Sequence, residues 1–404
     1  MNILIINLHS ALNLGDDAIL KSSLKLLNKR YPESRFSLMA NHPQSWEKYS
    51  EINIVPSFIN YTKGRRKSVS VYKFVRLLFY LFFDTLKLKF PRPDHDIMQI
   101  IEAFDTANII FSCGGGNFYS NSFFAFDLIL NTLCLVYSGA KKKQVVMLPQ
   151  SFGPFKKKFH VFLLKIGLKF SEFIFAREKI SFELLEGIKI PQSKIDLLPD
   201  LALALDSSTQ NFYNKTDKLY VGVTIIDREK QFSEFKNQGT YQEELVNTLN
   251  YLSLFHNASF YLFVQCRGPS QDQNDNNITQ KIYEELKENG LDVQIMSDYN
   301  DAESIINDFS DMNLIIASRL HTAIFGIINY LPTLLIGYQP KAKGLYDLLG
   351  LEEYYLSIDD IKHDTITNKV VDLIENETIF IRKVRRKLPD IKNKIEERIT
   401  TLEW

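Results

Sequence analysis

The residues most able to do chemistry lie where apolar runs give way to helix-like segments. In MNLIIASRLHTAIFG, Arg319 and His321 follow an apolar run and open a helical stretch. Arg319 offers a bidentate fork, the helix start adds unpaired amides and partial positive charge, and His321 can exchange a proton near neutral pH. That combination suits a small dianion. The next apolar run ends in GYQPKAKG, which adds Tyr338, Lys341 and Lys343. Arg177 stands in the same position after FIFA, so its guanidinium is expected to project from a strand edge, with an ion pair to Glu178 or another local acid as the competing reading.

Three glycine-centred turns follow other apolar runs. LNLGDDAIL supplies Asn13, Gly15, Asp16 and Asp17, where a carboxylate can cap the following helix or act as a base. SCGGGNF brings Gly114, Gly115, Gly116 and Asn117, whose bare backbone could cradle an anion or a sugar. LPQSFGPF places Gln150, Ser151 and Gly153 at a third run's end. None is a phosphate-binding loop of the Walker type or a GxGxxG fingerprint. No carboxylate and histidine cluster has metal-ligand spacing, so no metal is expected.

Elements of two kinds must hold these residues. Strand candidates are Asn2–Leu8, Arg35–Ala40, Asn108–Ser112, Gln144–Pro149 and Phe173–Ala176, then Leu219–Ile226, Ser259–Gln265, Val293–Ser297, Met312–Ala317 and Pro332–Gly337. Helix-length segments alternate with them, the first with Ile19, Leu20, Leu24 and Leu27 on one face. The class is therefore α/β, with two facing Rossmann-like domains and a cleft at the strands' carboxyl ends. The expected division is 1–205, a polar linker 206–218, a second domain 219–367, and a helical segment 368–404 crossing back to the first.

Composition removes several classes of function. At 404 residues the chain exceeds one core, and 45% hydrophobic with 24% charged residues excludes disorder. Forty-eight basic residues balance 48 acidic ones, so no overall field draws nucleic acid. Cys113, Cys134 and Cys266 include no CxxC pair, which fits a reducing cytoplasm better than a disulfide framework. Met1–Leu8 reads as a strand rather than a signal peptide, and the longest apolar run, the seven residues Leu77–Phe83, is too short to span a bilayer. One insertion breaks the alternation. Tyr61–Pro93 sets Lys63, Arg65, Arg66, Lys67, Lys73, Arg76, Lys87, Lys89 and Arg92 around VYKFVRLLFYLFF. It reads either as an interfacial element on anionic lipid, at the inner face of the plasma membrane, or as a helical hairpin packed on its own domain.

Taken together, NLGDDAI, CGGGN, LPQSFGPF, FAREKIS, PDLAL and SRLHTAIFGIINYLPTLLIGYQPKAKG resemble the polysaccharide pyruvyl transferase family, from Asn13 to about Leu349. The resemblance implies a GT-B-like fold and transfer of pyruvate from phosphoenolpyruvate to two sugar hydroxyls as a ketal, in a bacterial capsular polysaccharide or exopolysaccharide. It implies that Arg177, Arg319, Leu320 (through its backbone) and His321 hold the donor. Phosphoenolpyruvate presents a carboxylate and a phosphate, which suits Arg177, Arg319 and Lys341 closing from two domains. His321 is then the candidate for phosphate contact and leaving-group protonation, with Asp16 or Asp17, facing from the first domain, activating hydroxyls. Asn13, Gly15, Gly115, Gly116, Asn117 and Gln150 are candidate acceptor contacts. No cofactor is needed, since phosphoenolpyruvate is a co-substrate. The basic, aromatic insertion suits an undecaprenyl-diphosphate-linked oligosaccharide as acceptor. The competing functions are a GT-B glycosyltransferase using a nucleotide sugar and a non-catalytic scaffold docked on the membrane.

Overall fold

The computed structural model describes residues 1–64, 66–88, 93–120, 122–207, 218–227, 237–338 and 340–401. Most of the expected linker 206–218 lies outside them, as do Arg65, Lys89 and Arg92 of the basic insertion. The chain forms two compact units. Unit 1 comprises Met1–Ala11, Ile19–Leu201 and Glu396–Trp404, and unit 2 comprises Leu12–Ala18 and Ala202–Ile395.

Unit 1 is built on β1 (Asn2–Leu8), β2 (Arg35–Ala40), β3 (Asn53–Pro56), β4 (Ile109–Ser112), β5 (Gly115–Ser120), β6 (Gln144–Phe155), β7 (Phe173–Ala176) and β8 (Ile195–Leu197). Their order is β3-β2-β1-β4-β6-β7-β8, with β5 pairing along the far half of β6, and every pairing is parallel. Parallel sheets are covered on both faces, so their strands need continuous apolar runs. Ile3 to Ile6 of β1 are accordingly all buried. The covering helices are α1 (Leu14–Arg30), α2 (Phe58–Thr62), α3 (Lys67–Thr85), α4 (His95–Thr106), α5 (Phe126–Ala140), α6 (Lys158–Leu168) and α7 (Lys179–Gly187). Leu4, Ile6, Ile110, Met147 and Ile174 of the sheet share one core cluster with Phe58, Leu77, Phe104, Tyr137 and Leu164. Helices α2 to α6 therefore pack over one sheet face.

Unit 2 repeats the plan with β9 (Leu219–Val223), β10 (Ala258–Phe263), β11 (Val293–Met296), β12 (Leu314–Ala317), β13 (Thr333–Gly337) and β14 (Tyr355–Ser357), in the order β11-β10-β9-β12-β13-β14. The helices are α8 (Gln238–His256), α9 (Asn276–Glu288), α10 (Ala302–Phe309), α11 (Leu320–Ile328), α12 (Pro340–Leu349), α13 (Thr365–Glu375) and α14 (Glu377–Thr401). Both units thus have the Rossmann-like strand order, reversing direction beside their first strand.

The differences from the sequence expectation have simple causes. Strands β3, β8 and β14 are three or four residues long and sit at sheet edges, where a short run leaves no periodicity to read. Strand β5 opens with two glycines and looks like a loop. The expected single helix 368–404 is two helices meeting at Asn376, and only its end joins unit 1, where Arg398 pairs with Asp196 and Ile399 accepts from Arg30 (3.0 Å). A further correction matters for function: Leu12–Ala18, expected in the first domain, belongs to unit 2.

Candidate functional site

That segment docks through the backbone. Asn13 and Cys266 form an antiparallel bridge, the Leu14 amide donates to the Gln265 carbonyl (3.1 Å), and the Arg267 amide donates to the Leu12 carbonyl (2.9 Å). The chain leaving β10 therefore holds the NLGDD turn in place. Within the turn the Asn13 Oδ1 accepts from the Gly15 amide (3.1 Å) and from Gln265 Nε2 (3.4 Å), while Asn13 Nδ2 donates to Asp16 Oδ2 (3.2 Å). Gln265 Oε1 in turn accepts from the Thr322 hydroxyl of α11. Asn13 thus aims the half-buried Asp16 carboxylate.

Gly15 has a steric duty. A Cβ there would lie 2.1 Å from Nδ1 of His321, so only glycine lets the imidazole seat against the turn. His321 is buried in the first turn of α11, which starts at Leu320. The amides at that helix start have no partner within the helix and can face an anion. Asp17 takes another course. It is fully buried, and its Oδ2 accepts from the Ala302 amide (2.8 Å) at the start of α10, where a carboxylate offsets the helix's positive end. Asp17, expected to face from the first domain, therefore lies in unit 2 at the start of α10.

Arg319 ends β12. Its Nε donates to Asp275 Oδ2 (3.1 Å), and one terminal nitrogen donates to Asp275 Oδ1. Burial works against the guanidinium's charge, but the Asp275 carboxylate more than offsets it and lifts the pKa well above the usual arginine range. Nη1 is the edge of the fork not turned toward Asp275. Tyr338, just past β13, is near enough to act on Arg319 electrostatically, and Lys341 lies half-buried in the first turn of α12. Burial pushes the Cys266 thiol up to about 12 despite Arg319, which leaves it protonated and a poor nucleophile near neutral pH. Ser318 is held by Tyr241 (2.7 Å) and by Thr224, whose hydroxyl accepts from its amide (3.1 Å).

The second set of predicted residues lies in unit 1. Arg177 follows β7, and its guanidinium meets local acids, as in the competing reading. Nη1 donates to Asp200 (2.6 Å), Nε and Nη2 donate to the Ser151 hydroxyl (3.0 and 2.7 Å), and Glu178 lies 3.7 Å away. Ser151 donates to Glu178 (2.8 Å), and all four residues are buried. Three motifs, LPQS, FARE and PDL, thereby meet in one polar network with two carboxylates to one cation. The glycine run also has a packing explanation. A Cβ on Gly114 would lie 3.0 Å from the Pro149 carbonyl, and Gly115 adopts φ +117° where β5 joins β6. Gly116 is exposed, the Asn117 carbonyl accepts from Asn131 (2.9 Å), and buried Gln150 donates to the Cys113 carbonyl. Asn13, Gly15, Asp16, Arg319, Leu320 and His321 are thus grouped in unit 2, whereas Gly115, Gly116, Asn117, Gln150 and Arg177 belong to unit 1.

The polysaccharide pyruvyl transferase family model matches residues 13–340, which spans both groups. The chain belongs to the polysaccharide pyruvyl transferase family. Membership makes it a transferase with a polysaccharide-modifying role. Across 415 aligned residues it is 23% identical to the amylovoran biosynthesis protein AmsJ of Erwinia amylovora, covering 96% of this chain and 95% of that one. Among solved structures it resembles the MnaA–UDP complex of S. aureus (TM-score 0.61, 11% identity, 98% of this chain and 95% of that one). It also resembles the UDP-GlcNAc 2-epimerase of Neisseria meningitidis bound to UDP-GlcNAc (TM-score 0.59, 10% identity, 99% and 98%). The fold is GT-B.

Within this family member, Gln265, Asp275, Thr322 and Asp200 were not singled out by sequence. Gln265 ends an expected strand, so the strand-end rule could have found it. Asp200 stands in PDLAL without a neighbour to suggest its role. Asp275 sits in the polar stretch SQDQNDNN and meets Arg319 only through the fold.

Proposed function

We propose that this transferase moves the enolpyruvyl unit of phosphoenolpyruvate onto two hydroxyls of one sugar, forming a pyruvate ketal and releasing phosphate. The observation carrying this reading is the cluster at the start of α11, where His321 seats against Gly15 beside the Asn13–Asp16 pair and Arg319. The Leu320 and His321 amides, the Nη1 edge of Arg319 and the Lys341 ammonium supply the donors that a carboxylate and a phosphate on adjacent atoms require.

In the proposed reaction a proton adds to the donor's methylene carbon, C2 becomes electrophilic, and one sugar hydroxyl bonds to it. The C2–O bond to phosphate then breaks, and His321 protonates the departing oxygen. A second hydroxyl attacks C2 and closes the ring. Of the two hydroxyl protons, one ends on the new methyl group and the other on phosphate. Asp16, aimed by Asn13, takes protons from the hydroxyls. Asp17 is already committed to α10, and Arg177 serves by fixing the β6 and β7 ends rather than by meeting the donor. The acceptor we favour is a lipid-diphosphate-linked oligosaccharide in exopolysaccharide or capsule synthesis at the cytoplasmic face of the membrane, with AmsJ as the supporting relative. No cofactor enters beyond the co-substrate.

Replacing His321 with Gln tests the assignment. Turnover should fall by about 10²- to 10⁴-fold with donor KM little changed, as for a group that transfers protons. Equal losses in both would remove that role. Stabilisation in thermal shift by a nucleotide sugar, with none by phosphoenolpyruvate, would instead favour a glycosyltransferase.

A further inference from the structure

The same sheet face of unit 1 that packs α2 to α6 carries an apolar surface that no described residue covers. Helix α3 buries Leu77, Tyr80 and Leu81 against its neighbours, yet Val71, Val75, Leu78 and Phe82 point outward at helical spacing, with Phe82 59% exposed. Helix α5 begins at Phe126, leaving Phe123 and Phe124 in the preceding loop at 65% and 77% exposure. Phe159 and Phe162, one turn apart on α6, are exposed as well.

These elements are joined. The Phe74 ring of α3 meets Phe126 edge-on with centroids 5.3 Å apart. His160 of α6 donates from Nε2 to the Phe123 carbonyl (3.1 Å) and accepts at Nδ1 from Ser120 (2.7 Å), which ties the aromatic loop to α6. Lys157 lies over the Phe123 ring. One surface thus runs from α3 across the loop to α6. Exposed apolar area of this extent marks a contact with a partner or a lipid surface.

Charge decides which. Residues 66–83 contain two Lys and two Arg, residues 156–170 contain five Lys, and neither stretch contains an Asp or Glu. Asp84, the first acid beyond α3's apolar stretch, is turned inward to Tyr137 and Lys141 (2.9 Å). Asp127 is the single carboxylate between Phe123 and Tyr137. No described helix is long and apolar enough to cross a membrane. Aromatic side chains ringed by lysines, with Asp84 turned inward and Asp127 the one exposed acid in these stretches, match the boundary between head groups and acyl chains of an anionic bilayer. We propose that unit 1 docks this surface, α3 with the 122–125 loop and α6, onto an anionic lipid bilayer. The inference goes beyond the proposed chemistry and does not depend on it. It extends the basic insertion by two elements that its sequence does not contain.

Flotation of the full chain with phosphatidylcholine–phosphatidylglycerol vesicles tests it. Binding is expected there, weakened by salt, with little on phosphatidylcholine alone. Neutralising Lys158, Lys165 and Lys169 with Ser should lower the partition by about a hundredfold. The F123S/F124S/F159S/F162S variant should lose at least about tenfold. Both variants should keep the wild-type circular dichroism and melting temperature, because the altered side chains lie outside the core. Equal binding to neutral and anionic vesicles, or none to either, would overturn the proposal. So would self-association that the phenylalanine variant abolishes without any vesicle binding, which would assign the surface to a second copy of the chain. Vesicle binding is read without phosphoenolpyruvate, and phosphate release with a water-soluble acceptor should be unchanged in both variants, so this failure is separable from failure of the reaction.

Discussion

Arg177 and Arg319 occupy equivalent places, each just after a four-residue buried strand, and each pairs with an aspartate 23 or 44 residues away in sequence. Their surroundings differ. Arg177 meets two carboxylates and a serine hydroxyl, and all three of its guanidinium nitrogens donate to these buried groups. Arg319 meets one carboxylate, is neutral as a pair, and stands beside a helix start and a histidine. The two forks thus differ in how many of their nitrogens neighbouring side chains engage, all three at Arg177 and two at Arg319.

The largest effect should come from breaking the closed network. Arg177→Met leaves Glu178 and Asp200 buried without their cation, and thermal or denaturant unfolding should show a loss of about 3 to 5 kcal/mol. A fully stable variant that no longer turns over would reverse the comparison and return Arg177 to the donor site. Next comes Gly15→Ala. Its methyl would meet the His321 imidazole, and displacing a reacting group by about 1 Å costs about 10²-fold in turnover. Unchanged kinetics would separate His321 from the chemistry. The smallest effect sharpens the division between the two neighbouring carboxylates. Asp17→Asn should cost about 1 kcal/mol of stability through α10 and leave turnover largely intact, while Asp16→Asn should do the opposite. Matched losses from both would show that the two act together.

Much of this was legible in sequence for physical reasons. Buried parallel strands must be continuous apolar runs, so β1, β2 and β7 were readable to the residue, and Arg319 and His321 followed from the strand-to-helix change that places them. What sequence hid were partners brought together only by the fold. Asp275 for Arg319, Asp200 for Arg177 and Gln265 for Asn13 lie 44, 23 and 252 residues from the groups they serve. The assignment of residues 12–18 to unit 2 was equally hidden, because it rests on backbone bonds to Gln265 and Arg267 that carry no side-chain signature.

The α11 cluster of unit 2 is the proposed phosphoenolpyruvate site. The most direct test is release of inorganic phosphate from that compound by the purified chain, with and without a lipid-diphosphate-linked oligosaccharide, alongside the His321→Gln variant. Release that requires the acceptor, yields one ketal per phosphate, and drops by about two orders of magnitude or more in the variant is the expected result. Phosphate release at the wild-type rate from the variant, or ketal formed from another donor with phosphoenolpyruvate inert, would contradict it.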